Sequence, residues 1–330
     1  MTSSVRLTLR QLQIFAAVAE SGSTSAAAET LALSQSATSA AVNELERLLE
    51  VQLFDRVGKR LLLNDNGRAL LPRGLAVLDN ARSIELWARD RSSQVGMLRV
   101  GASTTIGNYL LPSLLSDFRR SLPQSAQQNW NVQVTIGNTS AITEQVGDFR
   151  LDVGLIEGPC HQPSLVVHPW LEDELVVVAA PQDPLVTSGR RRISLAALRK
   201  ATWLLREKGS GTREIVEQLL VPHLHHLRAG IEFSTSEGIK RAAASGLGIT
   251  CLSVCVVQDL LKLGALVAPP TELPRLTRSL YLVTHEEKQK TRGLELLLAH
   301  LERAMRRNQS VVPRGAPHSQ GGPSSKFPGA

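Results

Sequence analysis

The sequence predicts an α/β chain in three parts: a tri-helical unit with a small hairpin, one long helix, and a region of two α/β lobes. Three observations predict it. Apolar residues recur at helical spacing behind three Ser/Thr caps in the first fifty residues. A heptad follows at Leu70, Val77 and Ile84. From Leu98 onward, short apolar runs alternate with amphipathic segments, as in sheets wrapped by helices. A length of 330 residues fits two or three domains, and 42% hydrophobic residues suffice for real cores. Aromatics are only 4%, so those cores are aliphatic.

Thr8 and Gln11 read as a capping box, each satisfying a free amide at a helix start. Leu12, Phe15, Ala16 and Ala19 then share a face, and Gly22 ends the helix. Ser25 is expected to cap a second, short helix through Ala26, Ala27, Ala28 and Leu31. Ser34 caps a third, running to about Leu49, whose packed side is expected to hold Ala37, Ala41, Leu45 and Leu48. Asp55-Arg56-Val57-Gly58-Lys59-Arg60, between Leu53-Phe54 and Leu61-Leu62-Leu63, reads as a hairpin with Gly58 in its turn. Asn64-Asp65-Asn66 opens the long helix, predicted to about Arg91. Gly74, Ala81 and Ala88 lie four residues after each heptad residue, a seam whose small residues let two backbones approach. Pro72 predicts a kink.

Beyond, strands are expected at 98–102, 132–136, 152–156, 175–180, 203–205, 231–233, 249–252 and 279–283. Helices are expected at 107–120, 141–149, 195–199, 212–220, 237–244, 254–263 and 288–306, the sheets being parallel. The divisions are 1–63, 64–91 and 92–305, the last split into one lobe of about 95–169 with 270–305 and another of about 170–269. The Gly-, Pro- and Ser-rich tail, 306–330, is expected to be disordered.

The net charge of +7 does not by itself indicate nucleic acid. Residues 1–91 hold eleven Lys/Arg and ten Asp/Glu, whereas 303–330 hold five basic residues and no acid. Placement of individual side chains must carry any case for DNA. No run of eighteen apolar residues argues for a membrane span. Met1-Thr2-Ser3-Ser4-Val5-Arg6 has no charged-then-apolar leader, so a cytoplasmic protein is expected. Cys160, Cys251 and Cys255 cannot form a fully paired framework and read as reduced thiols.

The ordered run Leu9-Arg10-Gln11-Leu12, Phe15, Ala26-Ala27-Ala28-Glu29-Thr30-Leu31, Ser34-Gln35-Ser36-Ala37-Thr38-Ser39, Leu45-Glu46, Leu53-Phe54-Asp55-Arg56, Gly67 resembles the winged helix-turn-helix of LysR-type transcriptional regulators. The remainder, tail excepted, is similar in length and alternation to that family's effector-binding domain. The resemblance implies a two-lobed α/β domain like a periplasmic binding protein. The stretches "IGNYLLP", "GLIEGPC", "PWLEDELVVVAAP" and "EKGSGTREIVE" resemble the family's sulfite-responsive branch. It also implies promoter DNA, RNA polymerase and a small effector as partners, and a homodimer or homotetramer.

The residues support a DNA-reading face independently. Gln35, Ser36, Ser39 and Asn43 lie within about a quarter-turn of one another on the third helix, at ~100° per residue. Such a polar stripe can enter the major groove, ~12 Å wide, and offer amides and hydroxyls to base edges. Ser34, with the free amides of the helix start, suits a phosphate. Arg56, Lys59 and Arg60 form a basic wing, and Arg10 can reach a phosphate from the first helix. Ala40, Ala41 and Asn43 stand where the family often has basic residues, which shifts weight from guanine reading by Arg to phosphate contacts and DNA shape. Leu70, Val77, Ala81 and Ile84 are the expected dimerisation residues; a helix buried in a globular core would show the same spacing.

Helix starts mark the other site. Ser103-Thr104-Thr105, Asn138-Thr139-Ser140 and Gly209-Ser210-Gly211-Thr212 each precede a helix and offer hydroxyls and amides at its positive end. The resemblance to the family's effector domains points to Ser103, Thr104, Ser140 and Ser210, with Thr139, Thr212 and Glu157 behind them, as the candidate effector residues, and it implies a small oxyanion such as sulfite, or a small carboxylate, as the ligand class. The same Ser and Thr are ordinary caps in any protein. Glu157 would repel an anion unless paired with Lys208 or Arg213, or unless the ligand arrives protonated.

Other classes find less support. A solute-binding receptor would share the two lobes but not the tri-helical head. An α/β enzyme would need an acid/base or nucleophile set, and none is ordered in the sequence; Cys160-His161 lacks a third orienting group. His223, His225 and His226 have no Cys or carboxylate at zinc spacing, so neither metal nor cofactor is expected.

Overall fold

The computed structural model describes residues 6–58, 60–89, 95–128, 130–188 and 191–311. Helix α1 (Leu9–Ser21) starts on the Thr8–Gln11 capping box and stops at Gly22, whose φ of 65° suits a residue without Cβ. Helix α2 (Thr24–Thr30) is capped by Ser23 rather than Ser25, so the connecting turn is two residues shorter than expected. Helix α3 (Gln35–Leu49) is capped by Ser34. Its buried side is Thr38, Val42 and Leu45, while Ala37 is exposed: the packed face is turned by one residue from the expected one. Thr38 can be buried because its hydroxyl donates back to the Ser34 carbonyl at 3.1 Å. Strands β1 (Phe54–Val57) and β2 (Arg60–Leu63) form the hairpin, with Gly58 at φ 61°. Ile14, Phe15, Val18, Val42, Leu45, Leu53 and Phe54 close one apolar core, with Phe15 edge-on to Phe54.

Helix α4 (Asp65–Arg89) packs its first half on this unit. A Cβ on Gly67 would stand 2.2 Å from the Leu53 carbonyl oxygen, and one on Gly74 would meet Leu12 at 3.3 Å. The small residue at 74 therefore admits α1 of the same chain. Leu70 likewise packs against the tri-helical core, while Val77 is 44% and Ile84 66% exposed.

One mixed sheet carries the rest, in the order β4 (Asn131–Gly137), β3 (Met97–Ser103), β5 (Val153–Glu157), β10 (Leu276–His285), β6 (Leu165–Val178), β9 (Thr250–Ser253). Strands β4, β3 and β5 run parallel; β10 is antiparallel to β5 and to β6, and β6 to β9. The expected all-parallel sheets are thus corrected by two long strands that cross from lobe to lobe. Strand β6 is far longer than its predicted 175–180, because Pro169 and the charged Glu172, Asp173 and Glu174 mask it. The β10–β6 ladder skips Trp170 opposite Leu280/Tyr281, next to the proline that cannot donate. A second sheet pairs β7 (Trp203–Arg206) with β8 (Ala229–Phe233) in parallel.

The helices of lobe 1 are α5 (Leu111–Ser121), α6 (Gln124–Gln128), α7 (Thr139–Gly147) and α13 (Arg292–Val311). A π-turn, Ile106–Leu110, leads into α5 where a plain helix is expected. Lobe 2 holds α8 (Pro184–Thr187), α9 (Leu195–Lys200), α10 (Gly211–Leu224), α11 (Ser236–Ala244) and α12 (Val254–Lys262). Trp170 belongs to the core of lobe 1 and Trp203 to that of lobe 2, so neither bridges the lobes. Helix α13 runs through 306–311, which corrects the expected tail boundary; the rest of the tail lies outside the described residues.

Candidate nucleic-acid interface and anion cleft

The predicted reading residues share one surface. Ser34, Gln35, Ser36 and Asn43 are exposed and Ser39 half-buried, and Ser39 and Asn43 meet the wing across a shared hollow. Between α3 and the hairpin lies a hollow of about 570 Å³, lined by Ser39, Asn43, Arg47, Gln52 and Arg56 among others. Arg56 and Arg60 are exposed on opposite strands of the wing, and Lys59 lies outside the described residues. Gln35 Nε2 reaches the Thr24 hydroxyl at 3.4 Å, and Ser36 shares a bond with Ser34 at 3.0 Å, so the stripe is held by short polar contacts only. Arg10 is exposed on α1 and donates to Gln13 at 3.3 Å and the Leu31 carbonyl at 3.5 Å, beside the start of α3.

The helix starts of the two lobes do converge, but on a carboxylate of the chain itself. Glu157 ends β5 and is 1% exposed. Its Oε1 accepts from the Ser103 hydroxyl at 2.8 Å and the Thr105 amide at 2.7 Å. Its Oε2 accepts from the Thr212 hydroxyl and from Arg278 Nη1 at 2.9 Å. The Thr139 hydroxyl donates to the Glu157 carbonyl at 2.9 Å and accepts from the Gly211 amide at 3.2 Å, tying α7 to α10. Burial pushes the Glu157 carboxyl up, but the Arg278 charge and the Thr212, Ser103 and Thr105 bonds outweigh it and hold it below its ordinary value.

The expected partners of Glu157 are corrected: Arg278 on β10 supplies the cation, whereas Lys208 is exposed and Arg213 pairs with Glu217 and Glu232. Arg278 Nε also binds Asp173 at 2.8 Å, and its Nη2 finds no partner among the described residues.

A second guanidinium spans the lobes. Arg206, 2% exposed, holds Glu207 through Nε and Nη2 at 2.8 and 2.9 Å. Its Nη1 donates to the Thr104 hydroxyl at 2.6 Å and the Ser236 hydroxyl at 3.0 Å. Asn138, the cap of α7, donates to Glu207 at 3.2 Å. Ser210 is the cap of α10, its hydroxyl accepting from the Arg213 amide at 3.4 Å. Ser140 is exposed, and its amide donates to the Gly209 carbonyl at 3.1 Å. Beside it a cavity of about 80 Å³ is lined by Thr139, Ser140, Thr143, His161 and Glu214.

Tyr109 of the π-turn also crosses. It packs on the lobe 2 core, donates to Glu237 at 2.6 Å and accepts from Lys240 at 3.2 Å. Burial and the Glu237 bond push its hydroxyl up to about 12. Sequence reading missed Arg206, Arg278, Tyr109 and Lys240. Each guanidinium left a signal: an arginine within a short strand otherwise rich in apolar residues must find a buried anion.

A three-helix arm with a basic hairpin, a long helix, and a two-lobed domain closed on helix starts define a DNA-binding regulator with a ligand-sensing domain. Residues 9–68 match the bacterial regulatory helix-turn-helix of the lysR family, and 91–306 match the LysR substrate binding domain. The chain belongs to the LysR family of transcriptional regulators, and is therefore not an enzyme. It is 47% identical over 300 residues to the uncharacterized HTH-type transcriptional regulator YeiE of Escherichia coli, covering 91% of this chain and 99% of that one. It is 34% identical over 249 residues to the HTH-type transcriptional regulator CysL of Bacillus subtilis, covering 75% and 81%. Full-length OxyR of Pseudomonas aeruginosa shares the fold with a TM-score of 0.65 at 23% identity, covering 90% of this chain and 95% of that one. CbnR complexed with its target DNA does so with a TM-score of 0.58 at 20% identity, covering 90% and 100%.

Proposed function

We propose that two copies of this chain, joined along α4, read a promoter through α3 and the hairpin, and that a small oxyanion in the cleft sets their activity. The single observation that carries the DNA reading is the exposed polar stripe of α3, Gln35, Ser36 and Asn43, whose Asn43 shares a hollow with Arg56 of the wing. The stripe offers amides and hydroxyls to base edges, and the wing and Arg10 neutralise phosphate. The site of action is the cytoplasm, with RNA polymerase as the partner downstream. Dimers and tetramers both satisfy the paired arrangement.

For the effector, the supporting observation is a cleft built of hydroxyls, helix-start amides and two buried guanidinium groups. Glu157 fills one anion seat and is fully bonded. Glu207 fills the other and is 19% exposed, so an incoming oxyanion such as sulfite, or a small carboxylate, would replace it on Arg206. A gel-shift titration against the chain's own promoter tests the first reading. Tight binding that weakens steeply with salt is expected, by the counterions released from phosphates. Equal affinity for scrambled duplex would refute it. Calorimetric titration with sulfite, sulfate and acetate tests the second. Heat with at least one, larger in Glu207→Gln, is expected; no heat with any of the three removes the anion reading.

A further inference from the structure

Four charged side chains close a ring where α4 meets lobe 1. Arg99 Nη2 lies 2.7 Å from Asp79 Oδ1 and 2.5 Å from Asp152 Oδ1. Lys288 Nζ lies 2.5 Å from Asp79 Oδ2 and 2.8 Å from Asp152 Oδ1. The side chains of Asp79 and Lys288 are each 5% exposed and that of Asp152 9%. Burial pulls the Arg99 guanidinium down, but its bonds to Asp152 and Asp79 hold it above its ordinary value. Two cations and two anions thus alternate, and each depends on both neighbours.

The position of the ring gives it a consequence. Strand β3 carries Arg99 in its first half and ends on Ser103. Asp152 stands just before β5, which ends on Glu157. Strand β10 carries Arg278 near its start, and Lys288 follows its end. The three strands are neighbours: Val100 pairs with Val153, and Leu280 with Glu157. The same strands therefore hold the Glu157 cluster towards one end and the ring towards the other, about 13–17 Å apart at ~3.3 Å per residue. Ladder hydrogen bonds keep such strands from shifting singly. A displacement of the strand ends at Glu157 would carry Arg99, Asp152 and Lys288 with it relative to α4, and a buried ring tolerates little drift, since an unpaired buried charge is costly.

We propose that Asp79 is a positioning residue: through this ring it couples the direction of α4, and with it the DNA-binding arm, to the state of the Glu157 cluster in the cleft. The inference rests on the arm and cleft being the two working ends of the molecule. A plain staple would hold α4 equally well without sensing Glu157, and reciprocity separates the two, because true coupling acts equally in both directions.

Amide hydrogen exchange on the full chain provides the test without ligand or DNA. The Thr105 amide reports the cleft end, since it donates to Glu157, and the Arg99 amide reports the ring end, since it donates to Asp152 at 2.7 Å. Asp79→Asn is expected to speed exchange at Thr105 as well as at Arg99, and Glu157→Gln to do the same. The expected factor is about fivefold or more, the lower end of ordinary coupling between sites. Amides of α5 and α13, which pack in the same lobe 1 core, serve as the reference for overall stability. A Thr105 rate unchanged in Asp79→Asn, or an Arg99 rate unchanged in Glu157→Gln, overturns the proposal, as does an equal rise in α5 and α13. Should Asp79→Asn not fold, Lys288→Gln opens the same ring from the other side. Failure of this test leaves the gel-shift and calorimetric readings untouched.

Discussion

Glu157 and Arg278 carry opposite charges through the middle of the cleft with almost no contact with water. Removing one partner strands the other, a loss of ~3–5 kcal/mol for a buried pair, whereas replacing both by apolar groups is often nearly neutral. Arg278→Met is expected to lower stability by about that much and Glu157→Leu/Arg278→Met by clearly less, read from urea unfolding midpoints. The same carboxyl gives a pH signature. Its folded value lies below the ordinary 4.5, so the unfolded chain binds more protons in acid. The stability it contributes is present above pH 4.5 and is lost as pH falls toward the folded value. His285 adds an earlier loss. Burial lowers its pKa below 6.5, with the nearby Glu287 and Glu286 charges opposing, and its Nε2 is buried without a partner among the described residues. Below pH 6.5 the unfolded chain takes up a proton that the folded one resists, so stability declines from there downward. His285→Phe, which keeps a ring against Phe149, is expected to flatten the urea midpoint between pH 7.5 and 5.5.

At the scale of elements, caps were more legible than faces. Thr8 with Gln11, and Ser34, each offer one local partner, and both helix starts fall where the sequence places them. The buried side of α3 was not legible to within one residue, because Thr38 looks polar until its hydroxyl bonds its own backbone. Strand β6 was hidden for a related reason: its Asp173 is paired with Ser253 and Arg278, 80 and 105 residues away in sequence. Convergence of the helix starts could be read, but not that Glu157 occupies them, because Arg278 lies 121 residues away in sequence. Gly67 illustrates a constraint that a sequence pattern cannot show. With a Cβ 2.2 Å from a backbone oxygen, α4 must lift off the arm. Gly67→Ala is expected to cost ~1–3 kcal/mol, the range for forced overpacking, and to weaken promoter binding in a gel shift. An unchanged melting temperature would mean that the joint yields freely.

For the whole molecule, the decisive question is what covers the outer face of α4. Its first half is held by the arm, through Leu70 and Gly74, so the seam expected from Leu70 onward is shortened to the stretch beyond it. There Val77 and Ile84 stand 44% and 66% exposed, seven residues apart on one stripe, with the partly buried Ala81 between them. Two copies packed along this stripe would bury it and set two α3 helices side by side, matching half-sites about 34 Å apart. A charge there opposes pairing without touching arm, ring or cleft. Val77→Glu/Ile84→Glu is therefore expected to appear smaller than the unsubstituted protein in light scattering, to lose at least about tenfold in promoter affinity, and to keep its heat of anion binding. Undiminished size would show that other surfaces join the copies. Undiminished affinity in a smaller species would show that one arm alone accounts for binding, and the paired-reader picture would give way to a single reading head.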